Sequence, residues 1–244
     1  MRHLMVFVRA PAPGRVKTRL QDRYTPDQVA AIYRAFVADV LAHGAQVACE
    51  RRTVCFAPAD AERSIRPLTG PAWDLRPQAE GDLGDRMAEA FSWSFARGAS
   101  RAVLIGSDSP SLPPDGMAGA FDRLEGRDLV IGPSVDGGYY LIGMSRPMPE
   151  VFREVTWSSA RVLGQTLDRA EETGVRPVLL RPWYDVDTPE DLDFLLTHVR
   201  GERMGGGPAD APETVKVVEK IRGQGSETGG RGEARLNHSA FPDP

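Results

Sequence analysis

A short apolar run in the middle of the chain, residues 102–105, constrains the fold most. The run Ala-Val-Leu-Ile is partly β-branched and is followed by Gly106 and two prolines, so it predicts a buried strand rather than a helix. The turn behind it carries one carboxylate, Asp108, preceded by Ser107. Open α/β sheets bind ligands just beyond the carboxyl ends of their strands. Asp108 is therefore either a ligand-binding group or an acid that only caps the turn, and this stretch leaves both interpretations open.

Strand and helix signals alternate through the rest of the chain. The predicted strands are 4–8, 53–56, 73–76, 128–132, 139–142 and 175–180. The predicted helices are 26–43, 60–66, 85–96, 113–124, 158–172 (capped by Ser158 or Ser159) and 190–199. This order predicts a parallel sheet wrapped by helices in one domain, residues 1–200. The Gly-, Pro- and charge-rich remainder, 201–244, predicts a flexible tail with one or two helical turns near 213–221.

Composition excludes several classes of protein. The net charge of −4 and pI near 5.7 predict no general attraction to nucleic acid or anionic membranes. The longest apolar run is far too short for a membrane span, and no secretory signal pattern opens the chain. Two cysteines, Cys49 and Cys55, are too few for a disulfide framework or a structural zinc site. We therefore expect a cytoplasmic protein with reduced thiols.

The loop after the first predicted strand is strongly basic. Arg15, Lys17 and Arg19 alternate along it, and two prolines with Gly14 give the loop a restricted shape. Arg supplies a planar fork of donors and Lys a point charge, which together suit an anion such as a phosphate. The alternative is a solvated basic loop without a ligand.

Two glycine-containing loops are further candidates. Gly81 and Asp82 begin a predicted helix, where backbone amides favour anions or polar ligand edges, although Asp82 is more simply an N-cap. Asp136, Gly137 and Gly138 lie between two predicted strands and form either a plain turn or a surface against which a large ligand lies. In the second interpretation Asp136 points toward the region of Asp108.

The end of the last predicted strand carries unexplained acids. Thr188 is expected to cap the following helix, with Asp191 as its capping-box partner. Capping does not account for Asp185 and Asp187, which precede it. Cations from the first loop and acids from two strand ends suit a diphosphate bridged to the protein by Mg²⁺ or Mn²⁺, because carboxylate oxygens are the ligands that these ions prefer.

Six separated segments, in order, resemble the bacterial radical-SAM/selenodomain-associated transferase family. They are FVRAPAPGRVKTRL, GDLGDRMAEAF, VLIGSDSPSLP, DLVIGPSVDGGYYLIGM, VTWSSARVLGQTL and DVDTPEDL. That family, also linked by name to arsenosugar biosynthesis, belongs to the nucleotide-diphospho-sugar transferase superfamily. The resemblance covers about residues 3–199 and implies a three-layer α/β/α GT-A fold with a mostly parallel central sheet.

More distantly, the first loop and the DVDTPEDL segment look like those of phospholactate guanylyltransferases. This second resemblance implies that Lys17 and Arg19 contact nucleotide phosphates and that Asp108 and Asp187 hold the metal.

These observations give three hypotheses. The first is a metal-dependent transferase that uses a nucleotide-activated sugar and an unknown small-molecule acceptor. In it Asp108 and Asp136 are the catalytic candidates. Arg15, Lys17, Arg19, Gly81, Asp82, Ser107, Gly137 and Gly138 are the candidate nucleotide or substrate contacts. The second hypothesis is a nucleotidyltransferase that uses a nucleoside triphosphate at the same site and releases pyrophosphate. The third is a nucleotide-sugar-binding protein without turnover.

Overall fold

A computed structural model describes residues 1–229, and within them a single sheet of seven strands forms the centre of the molecule. The strands are β1 Arg2–Arg9, β2 Arg51–Ala57, β3 Asp74–Pro77, β4 Arg101–Ile105, β5 Leu129–Pro133, β6 Tyr139–Met144 and β7 Val178–Leu179. Their order across the sheet is β3-β2-β1-β4-β6-β5-β7. Only β6 runs antiparallel to its neighbours, β4 and β5, so the sheet is mostly parallel, as predicted.

Helices cover both faces of the sheet. They are α1 Pro26–Gln46, α2 Glu62–Ile65, α3 Leu83–Ala96, α4 Pro114–Arg123, α5 Val162–Glu172, α6 Pro189–Gly205 and α7 Pro212–Gly229. Apolar residues of α1, α4, α6 and α7 share one buried cluster with alternate β1 residues such as Leu4 and Val6. Residues of α3 and α5 share the other cluster with Met5. The predicted three-layer α/β/α fold is confirmed.

Local capping signals account for the starts of α1, α3 and α6. The side chains of Thr25, Asp82 and Thr188 each accept a hydrogen bond from the backbone amide three residues on, and the side chain of that residue accepts one from the backbone amide of the cap residue. The prediction for α5 was wrong, because the helix begins only at Val162. Ser158 instead adopts a left-handed backbone (φ 60°), and the Ser159 hydroxyl donates to Thr156 O within a turn.

The C-terminal part of the described chain differs from the predicted flexible tail. Helix α6 continues to Gly205, and α7 packs on α1 with Ala211, Thr214 and Val218 buried. The carboxylate of Asp39 on α1 accepts hydrogen bonds from the Glu213 and Thr214 amides and from the Thr214 hydroxyl. A helix N-terminus and an apolar face thus dock on the domain, which the glycine and charge content of the segment concealed. Residues 230–244 of the predicted tail lie outside the described residues.

Both cysteines are free thiols. Cys55 is fully buried, and burial raises the pKa of its thiol to about 12, whereas Cys49 is only partly buried. Among the helices of the described chain, none has the length and apolar character that crossing a membrane requires.

The buried side chain of His3 on β1 links this strand to β2 and α3. Its ring nitrogens lie 2.7 Å from the Ser94 hydroxyl on α3 and 2.9 Å from the Thr53 hydroxyl on β2. Burial, assisted by the positive charge of Arg51, lowers the pKa of His3 to about 4. The unfolded chain therefore binds a proton near pH 6.5 that the folded chain excludes, so this linkage reduces stability as the pH falls from 6.5 toward 4.

We predict that His3 accounts for a loss of about 2 kcal/mol in unfolding free energy between pH 7.5 and pH 5. The stability difference between wild type and His3→Gln should shrink by that amount over the interval, as measured by urea denaturation. The control Ser94→Ala removes a partner of His3 but no titrating group, so it should keep the pH dependence of wild type. Parallel profiles for wild type and His3→Gln would contradict the prediction.

Candidate functional site

A cavity of about 1100 Å³ opens at the carboxyl ends of β1, β2 and β4, next to the start of the antiparallel strand β6. Parallel strands place the loops that follow them at one edge of the sheet, which is the usual ligand position in such folds. The loop after β1, the loop after β4 and the segment before α6 all reach this cavity. They bring together residues that are up to 170 positions apart in the chain.

Lys17 lies at the centre of the charged side of the cavity. Its Nζ is 2.6 Å from Asp187 Oδ1 and 3.0 Å from Asp108 Oδ1. The Lys17 side chain is only 6% exposed, whereas Asp108 and Asp187 are 46% and 39% exposed. Burial by itself lowers the pKa of Lys17, but the attraction of Asp108 and Asp187 outweighs it and raises the pKa above its ordinary value. The ammonium is therefore charged and is shared by the two acids.

The backbone at Lys17 has an unusual conformation. With φ 44° and ψ 46° it is left-handed, a region that residues other than glycine rarely adopt. Such conformations persist when surrounding contacts hold them, and they concentrate at functional sites. Here a short 3₁₀ helix, Thr18–Asp22, follows directly, and the bend directs the Lys17 side chain between the two carboxylates.

Arg15 and Arg19 also reach the cavity but are less constrained. Arg19 Nη1 is 3.8 Å from Asp187 Oδ2, and the side chain is 73% exposed. Arg15 lines the cavity from the turn before Lys17 and is exposed. The structure thus brings the predicted cations and acids to one place, and their roles as ligands stay predictions.

Asp185 supports the acidic loops from below. Its two carboxylate oxygens accept hydrogen bonds from Ser109 at 2.6 Å and Ser134 at 2.7 Å. Burial raises the pKa of Asp185 while the two hydroxyls oppose that shift. The neighbouring amide of Val186 donates to Asp108 O at 2.9 Å. The segment before α6 is therefore tied to the loop that carries Asp108.

Ser107, a predicted substrate contact, belongs to a buried chain of hydrogen bonds. Its hydroxyl lies 2.8 Å from the Tyr33 hydroxyl, which accepts a bond from the Arg9 amide at 3.1 Å. Burial raises the pKa of Tyr33 to about 12, so the phenol is protonated at neutral pH. Sequence reasoning placed Tyr33 in the core because it follows the apolar spacing of α1. Its hydroxyl, however, reaches the floor of the cavity.

The opposite wall of the cavity comes from α3 and from the residue that follows β3. Gln78, Leu83, Arg86 and Met87 line it, and sequence reasoning selected none of them. The Arg86 guanidinium donates to Gln78 Oε1 and to the carbonyl of Asp82. The sequence signal in this region was the glycine and the cap at the start of α3. The side chains that face the cavity from this helix include Arg86 and Met87, one turn later.

Gly81 and Asp82 stand behind this wall. The Asp82 carboxylate accepts a hydrogen bond from the Asp85 amide at 2.9 Å, which is the N-cap role that the sequence predicted as the simpler alternative. Gly81 has φ 105°, and a Cβ there would lie 2.5 Å from Asp85 Oδ2, so the turn requires glycine. Neither residue is among those that line the cavity of the described chain.

Asp136, Gly137 and Gly138 form the turn between β5 and β6. Asp136 Oδ1 accepts the Gly138 amide at 3.0 Å, and Gly137 has φ 92° with the backbone of Ala160 packed against it. In the described chain, these three residues are not part of the cavity wall. The turn interpretation accounts for their contacts, and the catalytic role of Asp136 and the ligand contacts of the glycines stay predictions.

The carboxylates suit a hard divalent cation that is bound together with phosphate. Protein sites for Mg²⁺ often supply one or two carboxylates, while substrate phosphates and water complete the coordination. Asp108 and Asp187 are two such groups, facing one cavity from different loops. Within residues 1–229, no cluster of three or more His, Cys, Asp or Glu side chains is arranged to hold a metal by itself. A metal bound here would therefore need further ligands from a bound phosphate group or from water.

We predict that Asp185→Ala lowers the free energy of unfolding by about 1.5–3 kcal/mol, because two hydroxyls lose a charged acceptor. Urea denaturation at pH 7 measures the effect. Asp136→Ala is the matched control, since it removes one solvent-exposed bond to a backbone amide and should cost about 0.5–1.5 kcal/mol. Equal stability of wild type and Asp185→Ala would show that Asp185 does not hold the two loops together.

The chain is similar to one protein family and to several solved structures. Residues 40–159 match the family DUF2064, described as an uncharacterized protein conserved in bacteria. Among solved structures, a "putative nucleotide-diphospho-sugar transferase" from Desulfovibrio desulfuricans G20 is 32% identical with a TM-score of 0.82. The match covers 93% of this chain and 97% of that protein. No match was found among curated proteins.

Two more distant structures share the fold. A cytidylyltransferase from Leptospira borgpetersenii is 10% identical with a TM-score of 0.55, covering 96% of this chain and 99% of that one. Rv0371c from Mycobacterium tuberculosis H37Rv, in complex with manganese, is 17% identical with a TM-score of 0.50, covering 82% and 100%. Together with the full-length similarity to the Desulfovibrio protein, the fold and the DUF2064 match show that this chain belongs to the nucleotide-diphospho-sugar transferase superfamily.

Proposed function

We propose that the protein is a metal-dependent transferase that uses a nucleotide-activated sugar. The observation that carries the proposal is the meeting of Asp108 and Asp187 around Lys17 in a cavity at the carboxyl ends of the strands. Acids from two loops and cations from a third are what a metal-bridged diphosphate requires. The cavity volume of about 1100 Å³ is at the upper end for small-molecule sites and leaves room for an acceptor beside the nucleotide.

The roles of the chain's own residues follow from their positions. Asp108 and Asp187 would hold Mg²⁺ or Mn²⁺, which when bound supplies positive charge to the leaving diphosphate. Lys17, Arg15 and Arg19 bind and orient the phosphates and stabilise the charge that builds on them as the bond to the sugar breaks. We assign the nucleoside to the wall formed by Gln78, Leu83, Arg86 and Met87.

The finer family assignment is also a proposal. The six segments that resemble radical-SAM/selenodomain-associated transferases, including those of arsenosugar biosynthesis, support an acceptor of small-molecule type. The two free thiols support a reducing compartment such as the cytoplasm as the place of the reaction.

Nucleotidyl transfer is the second candidate, and the fold shared with a cytidylyltransferase favours it. In that reaction an acceptor phosphate attacks the α-phosphorus of a nucleoside triphosphate and pyrophosphate leaves, with the same cations stabilising the leaving group. Binding of a nucleotide-sugar without turnover is the third candidate, supported by the single acid in the loop after β4.

Product analysis separates these candidates. The purified chain is incubated with Mn²⁺, an acceptor panel, and either nucleotide-sugars or nucleoside triphosphates, after thermal-shift screening has chosen the nucleotide. Release of a nucleoside diphosphate from a nucleotide-sugar is the expected result. Release of pyrophosphate from a triphosphate would establish nucleotidyl transfer instead, and binding without either product would favour the third candidate.

We predict that Asp108→Asn abolishes metal-dependent nucleotide binding but shifts the melting temperature by only a few degrees. The carboxylate is 46% exposed and its charge is needed for the metal rather than for packing. Isothermal titration of nucleotide with and without Mn²⁺ measures binding, and Asp136→Asn serves as the matched control with unchanged metal dependence. Normal binding by Asp108→Asn would mean that Asp108 is not a metal ligand.

A further inference from the structure

Lys17 occupies the position between the two carboxylates that a shared metal ion would take. Its ammonium contacts Oδ1 of both Asp108 and Asp187 at hydrogen-bond distance. A Mg²⁺ ion bound to the same two oxygens at about 2.1 Å would fill the volume that the ammonium fills. The ammonium and a metal that bridges these oxygens therefore exclude each other.

The local charge balance points the same way. Asp108, Asp185 and Asp187 contribute three carboxylates to one side of the cavity, and Lys17 is the buried cation among them. The other cation near these acids, Arg19, is mostly exposed and 3.8 Å from Asp187. A divalent ion in place of the ammonium would neutralise more of this negative charge than Lys17 does. Lys17 thus only partly neutralises the acids.

The residue type at position 17 is unusual for this chain. The sequence contains 27 arginines but three lysines, which are Lys17, Lys216 and Lys220. An ammonium is a compact point charge on a flexible stem, whereas a guanidinium is a planar fork that would be held by both acids at once. A small cation that can leave the carboxylates by rotating its stem is what an exchange with metal requires.

We propose that Lys17 is an internal counter-ion that exchanges with the metal. Without metal, its ammonium keeps Asp108 and Asp187 together and prevents their mutual repulsion. When a metal–diphosphate complex occupies the carboxylates, the ammonium turns from them to a phosphate oxygen. The inference rests on the proposed function in one respect only, namely that the two acids bind a divalent cation.

The exchange predicts opposite effects of one substitution on two ligands. Lys17→Met should bind Mn²⁺ alone about tenfold or more tightly than wild type, because the competing cation is gone. The same variant should bind the Mn²⁺–pyrophosphate complex more weakly than wild type by about tenfold or more, because a charged phosphate contact is lost. Isothermal titration with Mn²⁺ alone and with inorganic pyrophosphate plus Mn²⁺ measures both affinities.

Arg19→Met is the matched control for general electrostatics. It also removes one positive charge near Asp187, but from an exposed side chain that does not stand between the acids. Its affinity for Mn²⁺ alone should change by about twofold or less. An equal gain for Arg19→Met and Lys17→Met, or unchanged or weaker Mn²⁺ binding by Lys17→Met, would overturn the proposal.

A measurement on the wild-type chain covers the case in which Lys17→Met does not fold. With ¹⁵N-labelled lysine only three ammonium signals exist, and exposed Lys216 and Lys220 on α7 serve as internal references. Saturation with Mg²⁺ should shift or broaden the Lys17 signal and leave the other two unchanged. A Lys17 signal that is unaffected by Mg²⁺, or the absence of Mg²⁺ binding in parallel titrations, would overturn the proposal.

These outcomes are separate from the fate of the proposed function. Metal exchange at Lys17 without turnover of any nucleotide-sugar or triphosphate would leave the inference standing and remove the transferase assignment. Metal-dependent turnover together with a Lys17 signal that Mg²⁺ does not affect would do the reverse.

Discussion

The ion pairs of Lys17 with Asp108 and Asp187 hold the functional edge of the molecule together. Each partner comes from a different part of the chain: the loop after β1, the loop after β4 and the segment before α6. The buried ammonium of Lys17 would be an unpaired charge without these carboxylates, and each carboxylate gains a cationic partner from it. The charged side of the cavity is therefore organised by this interaction.

Buried polar groups support those ion pairs from beneath. The bonds of Asp185 to Ser109 and Ser134, and of Tyr33 to Ser107, fix the loop after β4 from two sides. Such a second layer keeps the outer carboxylates in place while leaving them accessible to a ligand. It explains how one cavity can be both rigid at its floor and half-exposed at its acids.

The arrangement also relates this chain to its superfamily. The sheet order with one antiparallel strand places two acidic segments at the same edge, and the Desulfovibrio protein shares that fold over nearly its whole length. A cytidylyltransferase from Leptospira borgpetersenii shares the fold as well. Beyond the acidic segments, Gln78, Arg86 and Met87 form the remaining wall of the cavity.

The sequence by itself determined the alternation of strands and helices, the caps at Thr25 and Thr188, and the acid that follows β4, whereas the last strand is shorter than predicted and Asp187 lies in the segment before α6. These features follow from local hydrogen bonding and from apolar periodicity, which a short window of sequence contains. It also predicted that Asp108 and Asp187 belong together, because parallel strands end at one edge of the sheet. The sequence did not predict the docking of α7, because the glycines and charged residues of this segment outnumber the few apolar residues that pack on α1.

Only the tertiary structure decided which groups of the site contact one another. The sequence suggested that Lys17 faces phosphate and that the acids face metal, whereas the structure pairs the lysine with both acids. In the structure, Asp136 accepts a hydrogen bond within the turn between β5 and β6, and the Tyr33 hydroxyl lies at the floor of the cavity. These contacts depend on strand order, register and the left-handed bend at Lys17, which join residues far apart in sequence. No local pattern contains that information, because the partner of each charge is chosen by the packed fold.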